Sequence, residues 1–434
     1  MYNRQEWLDE FQDKKILIWG YGMEGESSYR FIRSLLPNQV IDITDQNHSF
    51  RIDETIHTNF LEEKNCDFHQ YDLILKAPGI VVPIELLDCA ISGQAPLFLK
   101  HYKDRVIGVT GTKGKSTTTS LIRDVLHTKR RCHLVGNIGK ACFDVIEEMK
   151  EDDLVAFEIS CHQLEFTKDS PHIAIFLNLY EEHLDHYKSF EKYKEAKEKI
   201  YRFQKPGDIL YIHEDLRADS KRDDALVIGK DVYVKDHIAH VKEHSISLEK
   251  SSLIGVHNEL NQAIAYGIGL TYGISDEEFL QAIESFQPLP HRLQVIGTKD
   301  GITYVDDSIS TIGMSCVNAI RSLKETGSVL IGGMDRGIDY NDLKDFLKSQ
   351  DELEVIFMYA TGKRIYEEMK EEGILPKRVH FVEDLKEAVQ LAKEVTKKGR
   401  ICLLSPADSS YDHFKNFEER GDVFKHLALD LCGK

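Results

Sequence analysis

Residues 106–116 read Val-Ile-Gly-Val-Thr-Gly-Thr-Lys-Gly-Lys-Ser, an apolar run followed by a glycine turn and a Lys-Ser pair. The turn leads into a helical pattern over residues 117–126. Glycines let backbone N–H groups converge on a polyphosphate, and the N-terminus of the next helix adds a favourable dipole. Lys115 supplies positive charge, and the Ser116 hydroxyl is a ligand for Mg2+. This order of strand, turn, lysine, hydroxyl and helix predicts a loop that binds the phosphates of ATP.

The loop departs in one place from the general pattern of phosphate loops. That pattern has a glycine five positions before Gly114, where this chain has Val109, and the additional glycines are Gly108 and Gly111. The loop is therefore a G-x-x-G-K-S variant. An ordinary glycine-rich connection between a strand and a helix is the alternative interpretation.

The composition bounds the class of protein. The chain has 434 residues, 41% of them hydrophobic, and a formal net charge of -18 at pH 7. This acidic balance argues against a general nucleic-acid or anionic-membrane surface, since both are bound mainly through lysine and arginine. The 8 cysteines form no C-x-x-C pair, and no apolar segment is long enough for a signal peptide or a membrane span. We expect a cytoplasmic, monomeric protein that binds small molecules.

Short apolar runs alternate with helical patterns along the chain. This alternation is typical of an α/β protein with mostly parallel sheets, in which ligands collect at the carboxyl ends of the strands. The predicted strands are residues 15–19, 72–75, 106–110, 154–159, 173–178, 302–305, 329–331, 355–358 and 401–405. Breaks near residues 93–105 and 286–292 predict three domains built like nucleotide-binding folds, at residues 1–101, 102–289 and 290–434.

A second glycine turn follows the first predicted strand. Residues 20–25 read Gly-Tyr-Gly-Met-Glu-Gly and open a helix, and Asp45 lies 20 residues beyond Gly25. This spacing meets the fingerprint of dinucleotide-binding folds. It supports a hypothesis of a different class, a nicotinamide-dependent oxidoreductase. The same turn fits any nucleotide diphosphate, and a tight turn without a ligand is a third interpretation.

Residues near other predicted strand ends are candidates for metal chemistry. The Glu158 carboxylate ends a strand and can share Mg2+ with Ser116. His183 lies in residues 177–186, a segment rich in potential metal ligands. Lys197 borders an apolar helical stripe, which disfavours its charged form and makes its amine available for chemistry. Each residue also has a structural interpretation, as a helix cap or a solvated lysine.

Polar residues near the second domain break are candidates for nucleotide contacts. Asn258 and Asn261 open a predicted helix. Arg292 follows a proline, and Asp307 follows a predicted strand. Amides can read an adenine edge, and arginine with aspartate can hold phosphate and ribose. Considered separately, each residue is better explained as a cap or turn residue.

Eight stretches of the chain match one family in order and across all three predicted domains. They are Gly111-Thr-Lys-Gly-Lys-Ser-Thr, Gly136-Asn-Ile-Gly, Phe157-Glu-Ile-Ser, Asn178-Leu-Tyr-Glu-Glu-His-Leu-Asp, Glu195-Ala-Lys-Glu-Lys-Ile-Tyr, His257-Asn-Glu-Leu-Asn, Pro290-His-Arg and Leu404-Ser-Pro-Ala-Asp-Ser-Ser-Tyr-Asp-His-Phe-Lys-Asn-Phe-Glu-Glu-Arg-Gly. Over its whole length the chain resembles the Mur ligases.

The resemblance implies an ATP-dependent ligase of peptidoglycan precursor synthesis, and hence a role in cell-wall biogenesis, cell shape and cell division. It implies that the enzyme adds glutamate, D-glutamate favoured, to UDP-N-acetylmuramoyl-L-alanine through an acyl phosphate. Ligation of L-glutamate is the alternative within the class. The implied fold has an N-terminal Rossmann-like domain for UDP, a central P-loop ATPase-like domain and a C-terminal Rossmann-like domain for the amino acid.

The resemblance also implies roles for single residues. The implied catalytic residues are Lys115, Glu158, His183 and Lys197. The implied ATP ligands are Gly111, Thr112, Lys113, Gly114, Lys115, Ser116, Thr117, Asn258, Asn261, Arg292 and Asp307. The UDP-substrate contacts are Gly22, Met23, Glu24, Asp45, Pro78, Gly79, Asn137 and Ser160. The glutamate contacts are Thr311, Arg336, Ser410 and Phe417. The implied ligands of two Mg2+ ions are Ser116, Glu158, His183 and Lys197, the last as a carbamate derived from CO2.

Overall fold

A computed structural model describes residues 3–45, 57–182, 184–251, 253, 255–287, 290–323 and 325–431. The chain forms two compact units. Unit 1 comprises Met1–Ser251 and His257–Phe286, and unit 2 comprises Ser252–Val256 and Gln287–Lys434. The predicted boundary between the first two domains lies inside unit 1, and the three-domain division stays a prediction.

The N-terminal part of unit 1 is a parallel sheet of five strands in the order β3-β2-β1-β4-β5. Its central strand consists of four buried residues in succession, as expected for a strand covered on both faces. The strands are β1 (Ile16–Trp19), β2 (Ile41–Thr44), β3 (Thr58–Leu61), β4 (Leu73–Lys76) and β5 (Ile91–Ser92). The helices are α1 (Arg4–Phe11), α2 (Met23–Leu35) and α3 (Gln94–Tyr102).

The rest of unit 1 contains a nine-stranded sheet in the order β14-β13-β12-β11-β10-β9-β6-β8-β7. Its strands are parallel except for the β12–β13 and β13–β14 pairings, which are antiparallel. The strands are β6 (Val106–Thr110), β7 (Cys132–Gly136), β8 (Leu154–Glu158), β9 (Ile173–Phe176), β10 (Ile209–His213), β11 (Leu226–Ile228), β12 (Val232–Lys235), β13 (Ile238–Val241) and β14 (His244–Ser247). The helices are α4 (Lys115–His127), α5 (Cys161–Leu164), α6 (Leu184–Tyr187), α7 (Phe190–Arg202), α8 (Arg217–Ser220), α9 (Val256–Thr271) and α10 (Asp276–Ser285).

One apolar core joins the two sheets of unit 1. It runs from Trp7 and Phe31 beside the first sheet through Phe143 to Phe157 and Phe176 of the second. Burial of these aromatic rings is a large favourable term that the two sheets share. The predicted domain boundary at residue 101 therefore lies within a continuous hydrophobic core.

Unit 2 contains a six-stranded sheet in the order β15-β16-β20-β17-β18-β19, parallel except for the β15–β16 pair. Apolar clusters cover both faces of this sheet. The strands are β15 (Gln294–Lys299), β16 (Ile302–Asp306), β17 (Thr326–Ile331), β18 (Glu354–Phe357), β19 (Val379–Phe381) and β20 (Ile401–Leu404). The helices are α11 (Gly313–Ser322), α12 (Asn341–Leu347), α13 (Tyr359–Glu371), α14 (Leu385–Val395) and α15 (Phe417–Leu429).

Candidate active site

The phosphate loop follows β6, which lies between β8 and β9 in the nine-stranded sheet. Gly111 and Gly114 have φ of 153° and 84°, values that favour glycine. Gly114 caps α4, which begins at Lys115. The first N–H groups of a helix have no partner within that helix, so this end of α4 is suited to bind phosphate oxygens. The predicted strand, turn and helix are confirmed.

Asn178 holds the first half of the loop and was not among the predicted site residues. Its Oδ1 accepts hydrogen bonds from the Thr112 and Lys113 amides, at 3.1 and 2.8 Å, and its Nδ2 donates to the Lys113 carbonyl at 3.0 Å. These two amides are thus already bonded. The phosphate-facing amides must come from the residues that follow, at the start of α4. The position of Asn178 just after β9, at the carboxyl edge of the sheet, was the signal in the sequence.

Glu158 ends β8 beside the loop, because β6 and β8 pair in parallel with Val109 opposite Glu158. Its side chain is buried, and Asn137 Nδ2 donates to its Oε1 at 3.3 Å. The other carboxylate oxygen, Oε2, is buried and has no hydrogen-bond partner among the described residues. An unpaired buried carboxylate oxygen is costly, which fits a group whose partner is a cation.

Lys197 lies on α7 with its side chain buried against the loop. Its Nζ donates to the Gly111 carbonyl at 2.7 Å and lies 5.0 Å from the centre of the Tyr193 ring. Burial, followed by the positive charge of Lys115, lowers the pKa of Lys197 to about 7. A large fraction of this amine is therefore neutral near physiological pH, as the apolar helical stripe predicted.

Of the other residues predicted around the loop, His183 cannot be placed, whereas Asn258 and Asn261 can. His183 lies outside the described residues. Its neighbour Glu182 contacts Lys113 Nζ at 2.7 Å, so the chain leading to residue 183 lies against the loop. Asn261 lies beside the loop, since a Cβ added at Gly114 would lie 3.2 Å from Asn261 Oδ1. Asn261 Nδ2 donates to Asn258 Oδ1 at 3.4 Å, which brings both predicted asparagines to the loop.

The N-terminal glycine turn is closed by Asp45. Its Oδ2 accepts a hydrogen bond from the Tyr21 amide at 2.6 Å. Gly20 has a φ of 91°. Gly22 caps α2 with ordinary backbone angles, and the following Met23 is exposed. Asp45 thus lies at the turn and accepts a backbone hydrogen bond there, and its contact with a nucleotide stays a prediction.

A cavity in unit 1 lies beside this turn. Glu24 and Pro78 line it, together with Lys76, Gln163 and Phe166. Gln163 Nε2 donates to Glu24 Oε1 at 2.6 Å, and burial raises the pKa of Glu24 to about 7 against the effect of this bond. Lys76 and Gln163 were missed, although a lysine ending the apolar run Leu-Ile-Leu-Lys is a signal.

Ser160 and Gly79, two further predicted contacts, lie at the edges of this region. Ser160 caps α5 in a capping box, in which its Oγ accepts from the Gln163 amide at 3.3 Å. It therefore fixes the helix that carries Gln163. Gly79 is exposed in the turn after β4.

Unit 2 brings together the predicted glutamate contacts Thr311 and Arg336. Arg336 Nη2 donates to the Thr311 carbonyl at 2.5 Å, and its Nε donates to Asp408 Oδ1 at 2.7 Å. Ser410 is buried two residues beyond Asp408. The Phe417 carbonyl accepts a hydrogen bond from Ser308 Oγ at 2.8 Å, and among the described residues no hydrogen bond joins Phe417 to the other three predicted contacts. Asp408 was not predicted, because only Ser410 and Phe417 of its stretch were assigned.

Asp307, a predicted adenosine contact, is buried within unit 2. Its Oδ2 accepts from Ser310 Oγ at 2.5 Å and Ser405 Oγ at 2.9 Å, and its Oδ1 accepts from the Leu293 amide at 3.2 Å. Burial raises the pKa of Asp307 to about 6, and the charge of Arg292 opposes that rise. The two residues therefore interact, and their contact with a nucleotide stays a prediction.

We expect Gly25→Ala to destabilise the N-terminal turn. An added Cβ would lie 2.1 Å from the Gly20 carbonyl oxygen, so the backbone must shift, at a cost of about 1–3 kcal/mol. Gly22→Ala is the matched control, since an added Cβ there meets nothing within 4 Å. Urea unfolding of both variants tests this. An equal loss in unfolding free energy in the two variants contradicts it.

Comparison with known proteins agrees with this arrangement. Residues 109–269 match the domain family described as "Mur ligase middle domain", and residues 291–408 match the one described as "Mur ligase, glutamate ligase domain". The UDP-N-acetylmuramoyl-L-alanine--L-glutamate ligase of Xanthomonas oryzae is 31% identical, over 97% of this chain and 96% of its own. The chain belongs to the Mur ligase family.

Other Mur ligases match over the same length. The UDP-N-acetylmuramoylalanine--D-glutamate ligase of a Thermoanaerobacter species is 28% identical, over 97% of this chain and 99% of its own. The crystal structure of the UDP-N-acetylmuramate-alanine ligase MurC from Thermotoga maritima has a TM-score of 0.60 at 20% identity, over 96% and 99% of the two chains. The predicted family, α/β fold class and ligase class are confirmed. None of the helices in the described ranges is both long and apolar enough to cross a membrane.

Proposed function

We propose that this Mur ligase uses ATP to join glutamate, with D-glutamate favoured, to UDP-N-acetylmuramoyl-L-alanine in the cytoplasmic synthesis of peptidoglycan precursors. The observation that carries the proposal is the convergence of the phosphate loop, the unpaired Glu158 oxygen and the near-neutral Lys197 amine at one sheet edge. The names of the two full-length relatives, both glutamate ligases, support the substrates.

The proposed reaction activates the alanyl carboxylate before it meets the amine. The carboxylate attacks the γ-phosphoryl group of ATP, which gives an acyl phosphate and ADP. The amine of glutamate then attacks the acyl carbon, and phosphate leaves. Lys115 and the first amides of α4 bind the phosphate oxygens, where positive charge and N–H donors stabilise the charge that gathers during transfer.

The residues at the sheet edge fit magnesium and a carbamate. Mg2+ prefers oxygen ligands, and Glu158 Oε2 and the Ser116 hydroxyl are of that kind. When bound, Mg2+ would neutralise charge on the transferred phosphoryl group. A neutral lysine amine attacks CO2 and releases one proton to solvent, and the oxygens of the resulting carbamate are anionic ligands. The lowered pKa of Lys197 is what this modification requires.

The test supplies ATP, Mg2+, UDP-N-acetylmuramoyl-L-alanine and either enantiomer of glutamate. We expect phosphate release that requires both the UDP substrate and glutamate, and a product heavier by one glutamyl residue. Absence of phosphate release with both enantiomers would overturn the proposal. Turnover with L-glutamate alone would favour the second candidate, ligation of L-glutamate, which the name of the Xanthomonas relative supports. A nicotinamide-dependent oxidoreductase would ignore ATP and change nicotinamide absorbance instead.

A further inference from the structure

Asp408 is a fully buried carboxylate in unit 2, directly behind Arg336. Its Oδ1 accepts from Arg336 Nε and from the Ser409 amide, each at 2.7 Å. Its Oδ2 accepts from Tyr340 OH at 2.5 Å and from Thr361 Oγ1 at 2.7 Å. Four donors therefore hold both oxygens of this carboxylate in one orientation. A buried charge with such partners is rigid, and Arg336 is its cationic partner.

The guanidinium of Arg336 is hydrogen-bonded to the protein along one edge, and its other edge is exposed. Its side chain is 36% exposed, whereas that of Asp408 is 0% exposed. Nε is bonded to Asp408 and Nη2 to the Thr311 carbonyl, and among the described residues no hydrogen bond involves Nη1. The guanidinium plane is thus fixed by two contacts from behind. Its outer N–H groups remain free to pair with a ligand's carboxylate, for which an arginine fork is suited.

We propose that Asp408 is a positioning residue that determines how this enzyme binds the carboxylate of its incoming amino acid. It acts through Arg336: it orients the guanidinium, and the guanidinium pairs with the carboxylate. This inference rests on the proposed function and adds to it a residue that touches no substrate. An arginine that is fixed before binding loses less side-chain entropy when it pairs, which strengthens binding.

The substitutions Asp408→Ala and Asp408→Asn separate the parts of this role. Alanine removes every acceptor, so Arg336 loses its anchor, and we expect the KM for glutamate to rise about tenfold or more. Asparagine keeps an acceptor oxygen for Arg336 Nε, so the rise should be smaller. The kcat and the KM for ATP should change by less than about threefold in both variants, because neither depends on this carboxylate contact.

Both substitutions are also made in an Arg336→Ala background. If Asp408 acts through Arg336, its substitution causes no further fall in kcat/KM for glutamate once the arginine is absent. Asp335→Asn is the control, since its carboxylate neighbours Arg336 in the chain but pairs with Arg364, at 2.7 Å. We expect it to leave kcat/KM for glutamate within about twofold.

The inference is overturned if the Asp408 variants lower kcat/KM by the same factor in both backgrounds, or if neither changes the KM for glutamate. Should Asp408→Ala fail to fold, the Asp408→Asn pair of measurements decides the question. The wild-type enzyme distinguishes this failure from that of the proposed function. If the wild type releases phosphate in response to glutamate but the Asp408 variants keep its KM and kcat/KM for glutamate, only the positioning role is overturned. If the wild type releases no phosphate, both proposals are overturned.

Discussion

We expect Lys197→Ala to lower the turnover of UDP-N-acetylmuramoyl-L-alanine and glutamate by about 1,000-fold, because a metal ion at developing phosphoryl charge is worth several kcal/mol. Phosphate release under saturating substrates measures this effect. Lysine at this position is proposed to act as a carbamate, so alanine removes an oxygen ligand. Short carboxylic acids such as formate or acetate should enter the vacated space and restore part of the activity.

The control for this prediction is Lys194→Ala, on the same helix. Lys194 Nζ pairs with Asp219 at 2.6 Å and is partly exposed, so its loss should change turnover by less than about twofold. If Lys197→Ala keeps near-normal turnover, or if both alanine variants lose activity equally, the carbamate assignment is wrong.

The lowered pKa of Lys197 also gives the modification a pH dependence of known sign. Only the neutral amine reacts with CO2, and a lysine with a pKa of about 7 becomes neutral as the pH rises through that value, instead of near its ordinary value of 10.5. When CO2 is removed and then restored, activity should therefore return faster with rising pH up to about 7, and the rate should level off above that pH. The measurement is the recovery rate at constant dissolved CO2. A rate still rising steeply above pH 9 contradicts the lowered pKa.

The parts of the site that could be predicted share one origin. Continuous apolar runs identify β6, β8 and β9, and the carboxyl ends of parallel strands lie at one edge of a sheet. The loop and Glu158 follow from this rule. The burial of Lys197 agrees with one of the two interpretations that its position beside an apolar stripe allowed, the other being a solvated lysine. All three predictions use short-range patterns and a general rule of sheet geometry.

The parts that could not be predicted depend on contacts between distant residues. Arg336 and Asp408 are 72 positions apart, and no periodicity in either segment indicates their hydrogen bond. Strands β12–β14 were missed for a different reason. Each has four residues, of which at most two are buried, so it lacks the continuous apolar run of the central strands.

Glu158→Gln should lower activity and raise the stability of the metal-free protein. The substitution keeps the shape of the side chain and its bond from Asn137, but it removes a buried negative charge whose Oε2 has no hydrogen-bond partner among the described residues. A buried polar atom without a hydrogen-bond partner costs about 1–3 kcal/mol, so removal of this charge should relieve part of that cost. Loss of a magnesium ligand should lower turnover by about 100-fold.

Asp153→Asn is the matched control, because Asp153 precedes the opposite end of the same strand. Its Oδ2 accepts from the Lys150 amide at 3.0 Å and contacts His133 Nε2 at 2.8 Å, so this carboxylate is already satisfied by protein groups. We expect its neutralisation to lower the unfolding temperature and to leave the magnesium dependence unchanged.

Unfolding temperatures with and without Mg2+ and ATP separate a metal ligand from a structural acid. A ligand that binds only the folded state raises its stability, so Mg2+ with ATP should raise the unfolding temperature of the wild type and of Asp153→Asn alike. In EDTA, Glu158→Gln should have a higher unfolding temperature than the wild type. Addition of Mg2+ and ATP should raise that temperature by less than it does in the wild type. A Glu158→Gln variant that is less stable in EDTA than the wild type, yet gains as much from Mg2+ and ATP, would show that Glu158 only supports the sheet. The opposite signs expected for the two neutralised carboxylates follow from a single difference, the presence or absence of a partner for the charged oxygen.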